Sequence, residues 1–126
     1  MVVDVLSAHR GEIAAEFPCS QSQLLWWILD SINPGDPAYN IAVCWEIRGR
    51  FSAASIEAAF ERVIARHEIL RTRFVEKDNA PVQQVMGSAP FKLSIIDLRG
   101  VSEEKRAARV ASIGEMMARE PFDLTR

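Results

Sequence analysis

The sequence is poor in the residues that most often carry chemistry. Only two cysteines and two histidines occur in 126 residues. Cys19 and Cys44 stand 25 positions apart, each without a second thiol or histidine nearby, which argues against both a zinc site and a structural disulfide. His9 and His67 have no neighbouring nucleophile of a recognisable kind, and no Gly-x-Ser-x-Gly turn is present. There is no Walker loop and no Gly-x-Gly-x-x-Gly, so the usual phosphate cradles are missing. A net charge of −2 gives no basic footprint for nucleic acid. Nowhere do about 18 to 20 apolar residues run together, which excludes a helical membrane span. Residues 1–16 lack the basic start and long apolar stretch of an export signal. On these absences the chain reads as a reduced, cytoplasmic protein with no metal site.

What is present is ordinary globular material. Apolar residues make up 48% and charged residues 25%, enough for one domain with a modest core. No internal repeat or low-complexity stretch interrupts it. Residues 1–16 are weakly patterned and read as a leader, either disordered or a docking segment. Regular order begins with Ser20-Gln21-Ser22-Gln23, a capping box in which the serine and the glutamine each satisfy the other's backbone N–H. Leu24, Leu25, Ile28, Leu29 and Ile32 then recur at helical spacing, which predicts a helix ending near Asn33 at the Pro34-Gly35-Asp36-Pro37 breaker. Ile41, Val43, Trp45 and Ile47 alternate with less apolar residues, which predicts a strand closed by Gly49.

A second helix follows from Ser52, with Ile56, Ala59, Phe60 and Val63 on one face and His67 and Leu70 in line with it. Residues 72–76 and 82–86 predict a hairpin around Lys77-Asp78-Asn79-Ala80-Pro81. Phe91, Leu93 and Ile95 predict a further strand ending at Asp97. Ser102 starts a last helix, with Glu103 and Glu104 in its first turn, where negative charge suits the helix dipole. Its inner stripe is Ala107, Val110, Gly114 and Met117, with Ile113 beside them, and Pro121 ends it. The order helix, strand, helix, hairpin, strand, helix predicts an α+β layer, a mixed sheet covered by helices.

Three features admit a functional reading beside the structural one. Trp26 and Trp27 are adjacent on a helix, so only one can face the middle of a core. The other lies at the edge of the stripe or meets another lobe or chain. His67 sits in an apolar stripe, which favours a packed structural histidine. Arg66, Glu68, Arg71 and Arg73 form the densest charge cluster, either a solvated helix end or a salt-bridge node with a forked arginine.

The cluster lies within Arg66-His67-Glu68-Ile69-Leu70-Arg71-Thr72-Arg73-Phe74. This nonapeptide resembles, at every fixed position, the RHExLRTxF motif of the condensation domains of nonribosomal peptide synthetases. The first helix resembles the family's opening SxAQxRLW motif. Ser20, Gln23 and Trp27 agree with it; Ser22 replaces the alanine and Leu25 the arginine. Glu120-Pro121-Phe122-Asp123-Leu124 resembles the family's PFDL segment. The resemblance covers residues 17–126, which marks them as a partial condensation domain preceded by the leader.

The resemblance implies the N-terminal half of a two-lobe fold similar to chloramphenicol acetyltransferase. It implies amide-bond formation between acyl and aminoacyl thioesters held on the phosphopantetheine arms of carrier proteins, with no cofactor bound by the domain itself. The family's catalytic histidine lies in an HHxxxDG motif after PFDL, and no HH pair occurs in this sequence. The chain is therefore expected to lack its catalytic residue and to be inactive alone. Arg66 and Arg71 are implied as structural supports of that catalytic loop. His67, Glu68, Leu70, Thr72 and Phe74, with Ser20, Gln23 and Trp27, are implied as motif positions rather than catalytic groups. The partners implied are carrier proteins and the rest of a synthetase, with self-association through an exposed sheet edge. A standalone interaction module and a related ester-forming acyltransferase are the alternatives.

Overall fold

A computed structural model describes residues 2–5, 11–50 and 52–126. His9 and Phe51 lie outside the described residues. Five strands and three helices are present among them: β1 (Val2–Val5), β2 (Ile13–Pro18), α1 (Gln21–Ile32), α2 (Ala53–Arg66), β3 (Thr72–Lys77), β4 (Ala80–Met86), β5 (Leu93–Ile96) and α3 (Glu103–Ala118). The boundary drawn after residue 16 falls inside β2, which is paired along its length with β4.

The α+β class holds, but the sheet is not mixed. Every described pairing is antiparallel, in a two-stranded sheet β1-β5 and a three-stranded sheet β2-β4-β3. For β3 and β4 the reason is their connection. A two-residue turn can only return the chain antiparallel to itself. Asp78 and Asn79 make that turn with φ of 52° and 60°, a left-handed conformation that Asn and Asp tolerate better than other non-glycine residues.

The central strand β4 carries Gln83 and Gln84, whose side chains point to opposite faces. On one face Glu16, Gln84 and Arg73 stand in one cross-strand row. Arg73 Nε donates to Gln84 Oε1 at 3.1 Å, and Gln84 Nε2 donates to Glu16 Oε2 at 2.9 Å. Lys77 Nζ completes the chain on Glu16 Oε1 at 2.6 Å. Gln84 is buried, so this satisfaction matters: an unpaired buried amide would cost about 1–3 kcal/mol.

On the other face Gln83 holds α1. The predicted capping box is present, with Gln23 N–H donating to Ser20 Oγ at 3.3 Å and Ser20 N–H to Gln23 Oε1 at 2.7 Å. The same Gln23 amide then donates through Nε2 to Gln83 Oε1 at 3.1 Å, and Gln83 Nε2 donates to the Pro18 carbonyl at 3.0 Å. A local helix start thus doubles as the joint that docks the helix. This joint sets how α1 is turned. Gln23, Trp27 and Asp30 lie toward the body, while Leu24, Leu25, Ile28 and Ile32 remain exposed. The apolar stripe expected to be the buried face is therefore only partly covered.

The core lies under α2. Ile64 packs with Phe91 and Leu93, flanked by Ala53, Ile56 and Ala89. The rings of Phe60 and Phe91 stack at a tilt, 5.0 Å apart. Glu57 accepts from the Leu93 backbone N–H at 3.1 Å, tying the helix to β5. Ser52 caps α2 through the Ser55 N–H, as expected. Ser102 occupies the N-cap of α3 but makes no capping bond, and Ile113, rather than its neighbours on the stripe, is the buried residue of that helix.

The largest difference from the sequence pattern concerns residues 41–47. They belong to no strand, and Ile41, Val43, Trp45 and Ile47 are 92, 61, 76 and 59% exposed. A strand requires a hydrogen-bonded neighbour, and none of the described residues donates to or accepts from the backbone of residues 41–50.

The joint at Gln23 predicts unequal costs for its two members. Ser20→Ala removes one capping bond and is expected to destabilise by about 1 kcal/mol. Gln23→Ala removes the reciprocal bond and the link to Gln83 together, and is expected to cost more than Ser20→Ala in urea unfolding.

Candidate functional site

The junction between α2 and β3 is built from three short-range devices. The helix ends at Arg66, and His67 takes an extended conformation as its C-cap. A single 3₁₀ turn, Glu68–Arg71, follows. Thr72 Oγ1 then donates back to the Glu68 carbonyl at 2.8 Å, which fixes the angle at which β3 departs. The motif residues are therefore spent largely on turning a helix into a strand within one turn.

The two arginines expected as supports are placed differently. Arg71 is drawn inward, its side chain 14% exposed. One guanidinium nitrogen, Nη1, donates to the Met86 carbonyl, and Nη2 reaches Glu68 Oε1 at 3.4 Å. Arg66 is exposed and makes no ion pair or side-chain hydrogen bond among the described residues. His67, expected as a packed residue, is exposed instead. It lies at the helix end, where the 3₁₀ turn carries the stripe away from the core. Leu70 is also largely exposed, whereas Thr72 and Phe74 are half-buried in β3.

Arg71 forms one wall of an open cleft of about 370 Å³, lined also by Glu61, Ile64, Gly87, Ser88 and Pro90. A second, shallower cleft of about 450 Å³ is lined by Trp27, Asp30, Pro34, Gly35 and residues 120–126. Gly35 has a φ of +78°, and a β-carbon there would sit 3.8 Å from Pro121, so the breaker loop meets the Pro121 segment closely. Asn40 joins the same two regions, its Nδ2 donating to the carbonyls of Ala118 at 3.1 Å and Glu120 at 2.8 Å. Phe74 N–H donates to the Leu124 carbonyl at 2.7 Å. The structure thus gathers the segments 20–27, 34–40, 66–74 and 120–124 around one side of the hairpin. Of the tryptophan pair, Trp27 lines the second cleft and Trp26 stands more exposed, in an edge-on contact with Tyr39 at 4.7 Å.

Sequence reasoning missed Gln83, Gln84 and Asn40. Two adjacent amides in the middle of a valine-flanked strand were the available signal for the first two, since a strand buries both faces only if such groups find partners. Nothing local marks Asn40, whose acceptors lie 78 and 80 residues away.

The electrostatics are modest. The Lys77 ammonium and the Gln84 amide hold the Glu16 carboxyl below the usual carboxylate range, and Glu16 in turn holds Lys77 up. The fork of Arg99 on Asp97, with a further backbone bond, lowers Asp97 to about 2. Cys19 and Cys44 are both free thiols, and burial pushes Cys19 up. Among the described residues no three His, Cys, Asp or Glu side chains gather as metal ligands, and no helix is long and apolar enough to cross a membrane.

Two outcomes follow from this geometry. Arg71→Met leaves the Met86 carbonyl without its donor and is expected to destabilise the chain by about 1–3 kcal/mol in urea unfolding, while Arg66→Met stays within about 0.5 kcal/mol. Glu16 has a depressed folded pKa, so its contribution is present above the unfolded value and fades as pH falls through the folded one. Lys77→Met is expected to return the Glu16 midpoint toward the ordinary carboxylate range in a carbon-detected NMR titration.

Comparison with known proteins places this arrangement. The chain matches the family described as Condensation domain over residues 13–126. It is 35% identical over 109 residues to chondramide synthase cmdD of Chondromyces crocatus, covering 86% of this chain and 3% of that one. It is 34% identical over 121 residues to tyrocidine synthase 3 of Brevibacillus parabrevis, covering 96% and 2%. Phosphinothricin tripeptide synthetase PhsC of Streptomyces viridochromogenes is 32% identical over 117 residues, covering 93% and 11%. The chain therefore spans only a small part of the length of these relatives. A crystal structure of a holo four-domain nonribosomal peptide synthetase bound to AMP and glycine superposes with a TM-score of 0.66. The identity there is 20%, with 100% of this chain and 9% of that chain covered, so the likeness is one of fold.

Proposed function

The chain belongs to the condensation-domain family of nonribosomal peptide synthetases, and on that premise we propose that it supplies the N-terminal lobe of an amide-forming domain. The reaction joins two thioesters carried on phosphopantetheine arms. The amine of the acceptor attacks the donor's thioester carbonyl, a C–N bond forms, the C–S bond breaks, and the thiol leaves with the proton. The carriers of those arms are the partners of this reading, and the domain itself holds no cofactor.

The observation that carries the proposal is the state of the motif at residues 66–74. Its arginines are not equivalent: Arg71 is held inward between the Met86 carbonyl and Glu68 at the wall of a cleft, while Arg66 is exposed. A guanidinium fixed at both ends is suited to brace a neighbouring loop, because its remaining N–H groups point in set directions. Arg71 is accordingly the positioning residue of this reading, and Arg66 is not. His67 is not assigned as a base, since it stands exposed at a helix end away from the first cleft's lining. Catalysis in such a domain rests on holding two tethered substrates and a general base in register. The 126 residues contain no adjacent histidine pair to provide that base.

Two measurements test the reading. The chain alone, given two loaded carrier proteins, is expected to form no amide product by mass spectrometry; product from this polypeptide alone would refute it. Residues 13–126 grafted in place of the aligned segment of tyrocidine synthase 3 are expected to support condensation. In that chimera Arg71→Met is expected to lower turnover by about 100-fold, as loss of positioning does, and Arg66→Met to leave it within a few-fold.

A further inference from the structure

Helix α3 cannot satisfy its own last carbonyls. The backbone N–H groups of Arg119 and Glu120 serve the carbonyls up to Met117. Pro121 has no N–H to offer, and no lysine, arginine or histidine stands in the last turn. Among the described residues no backbone N–H donates to the carbonyl of Ala118 or of Glu120. Both are taken instead by Asn40 Nδ2, at 3.1 and 2.8 Å. A side-chain amide nitrogen carries two hydrogens, so one residue can hold two acceptors at once. Asn40 therefore caps α3 from 78 residues away.

The donor is itself held in place. Asp36 accepts from Asn33 Nδ2 at 2.7 Å and from the Ala38 N–H at 2.9 Å, and the Asn40 N–H donates to the Pro37 carbonyl at 2.9 Å. The 3₁₀ turn Pro37–Tyr39 thus presents the Asn40 amide from a closed loop. Beyond the cap, Pro121 packs against Gly35, and the Leu124 carbonyl accepts from the Phe74 N–H at 2.7 Å. Phe74 follows Arg71 by one short step of β3, and Arg71 is tied to the end of β4. The path of residues 118–124 past the motif is therefore set at one end by Asn40 and at the other by Phe74.

We propose that Asn40 is a positioning residue of the condensation reaction, which acts by capping α3 and so fixing the path on which residues 120–124 reach the Arg71 motif. This rests on the reading of the chain as part of an amide-forming domain. The resemblance puts the HHxxxDG loop after this segment, so an error in the segment's path is passed on to the general base. Asn40 touches no reacting group; its effect travels through the backbone it holds. A misplacement of about 1 Å in such a support costs about 100-fold in rate. Aspartate has the same shape but cannot stand in for Asn40. It donates nothing and adds negative charge at the negative end of a helix.

The test uses the chimera of residues 13–126 in tyrocidine synthase 3, carrying Asn40→Asp or Asn40→Ala. Ser52→Ala removes one capping bond at the start of α2 and serves as the control for a general loss of stability. Both Asn40 variants are expected to lower kcat by about tenfold or more, with KM for each loaded carrier within about twofold. Ser52→Ala is expected to keep kcat within about twofold. In the 126-residue chain, Asn40→Ala is expected to speed hydrogen exchange of the Phe74 amide by about tenfold or more relative to the rest of the β3–β4 hairpin. Parental kcat in the Asn40 variants, a loss confined to KM, or an equal loss in Ser52→Ala would overturn the proposal. Unchanged exchange at Phe74 would overturn it too. A parent chimera without turnover would sink the functional reading, while the Phe74 exchange would still decide whether Asn40 sets this segment.

Discussion

The architecture depends on two adjacent glutamines in the middle of β4. A strand presents neighbouring side chains to opposite faces, so Gln83 and Gln84 cannot share a partner. Gln83 is engaged by the helix start at Gln23 and by the Pro18 carbonyl. Gln84 is engaged by Arg73 and Glu16 from the strands on either side. Each amide uses both its donor and its acceptor, and this two-sided demand fixes β2 and β3 against β4 and fixes α1 above them. Replacing either by an apolar residue would leave two separate elements without their reference point.

What could be read from the sequence was whatever is decided within about four residues. The capping box at Ser20–Gln23, the cap at Ser52, the start of the helix it caps and the hairpin over 72–86 are all settled by short-range hydrogen bonds or by turn chemistry. What could not be read was decided at long range. The rotation of α1 follows from a contact 60 residues away, so the stripe Leu24, Leu25, Ile28 and Ile32 misled even though the helix itself was evident. The alternation over 41–47 is a property of the chain, but a strand is a property of a pair, and here only the first half of that condition is met.

The candidate site divides in the same way. The nonapeptide at 66–74 was legible as a signature because its spacing is fixed by the helix-to-strand junction it builds. That Arg71 turns inward while Arg66 stays in water was not legible, since both stand within five residues of the same helix end. The distinction arises from the Met86 carbonyl, presented at the end of β4 just where the 3₁₀ turn aims the second arginine. A motif can therefore be matched at every position while its members perform unlike tasks: some turn the backbone, one ties two elements, and one faces solvent.

The Asn40 tie has a consequence in time. Its two acceptors lie 78 and 80 residues further along the chain. At a synthesis rate of roughly 5–20 residues per second, about 4–16 seconds separate the appearance of Asn40 at the ribosome from that of its partners. Through that interval α1 and the Pro34–Asp36 breaker have been made while the 118–124 segment they meet has not. The cleft beside Trp27 therefore cannot form as the chain first emerges, and its wall is completed only when residues 120–124 arrive.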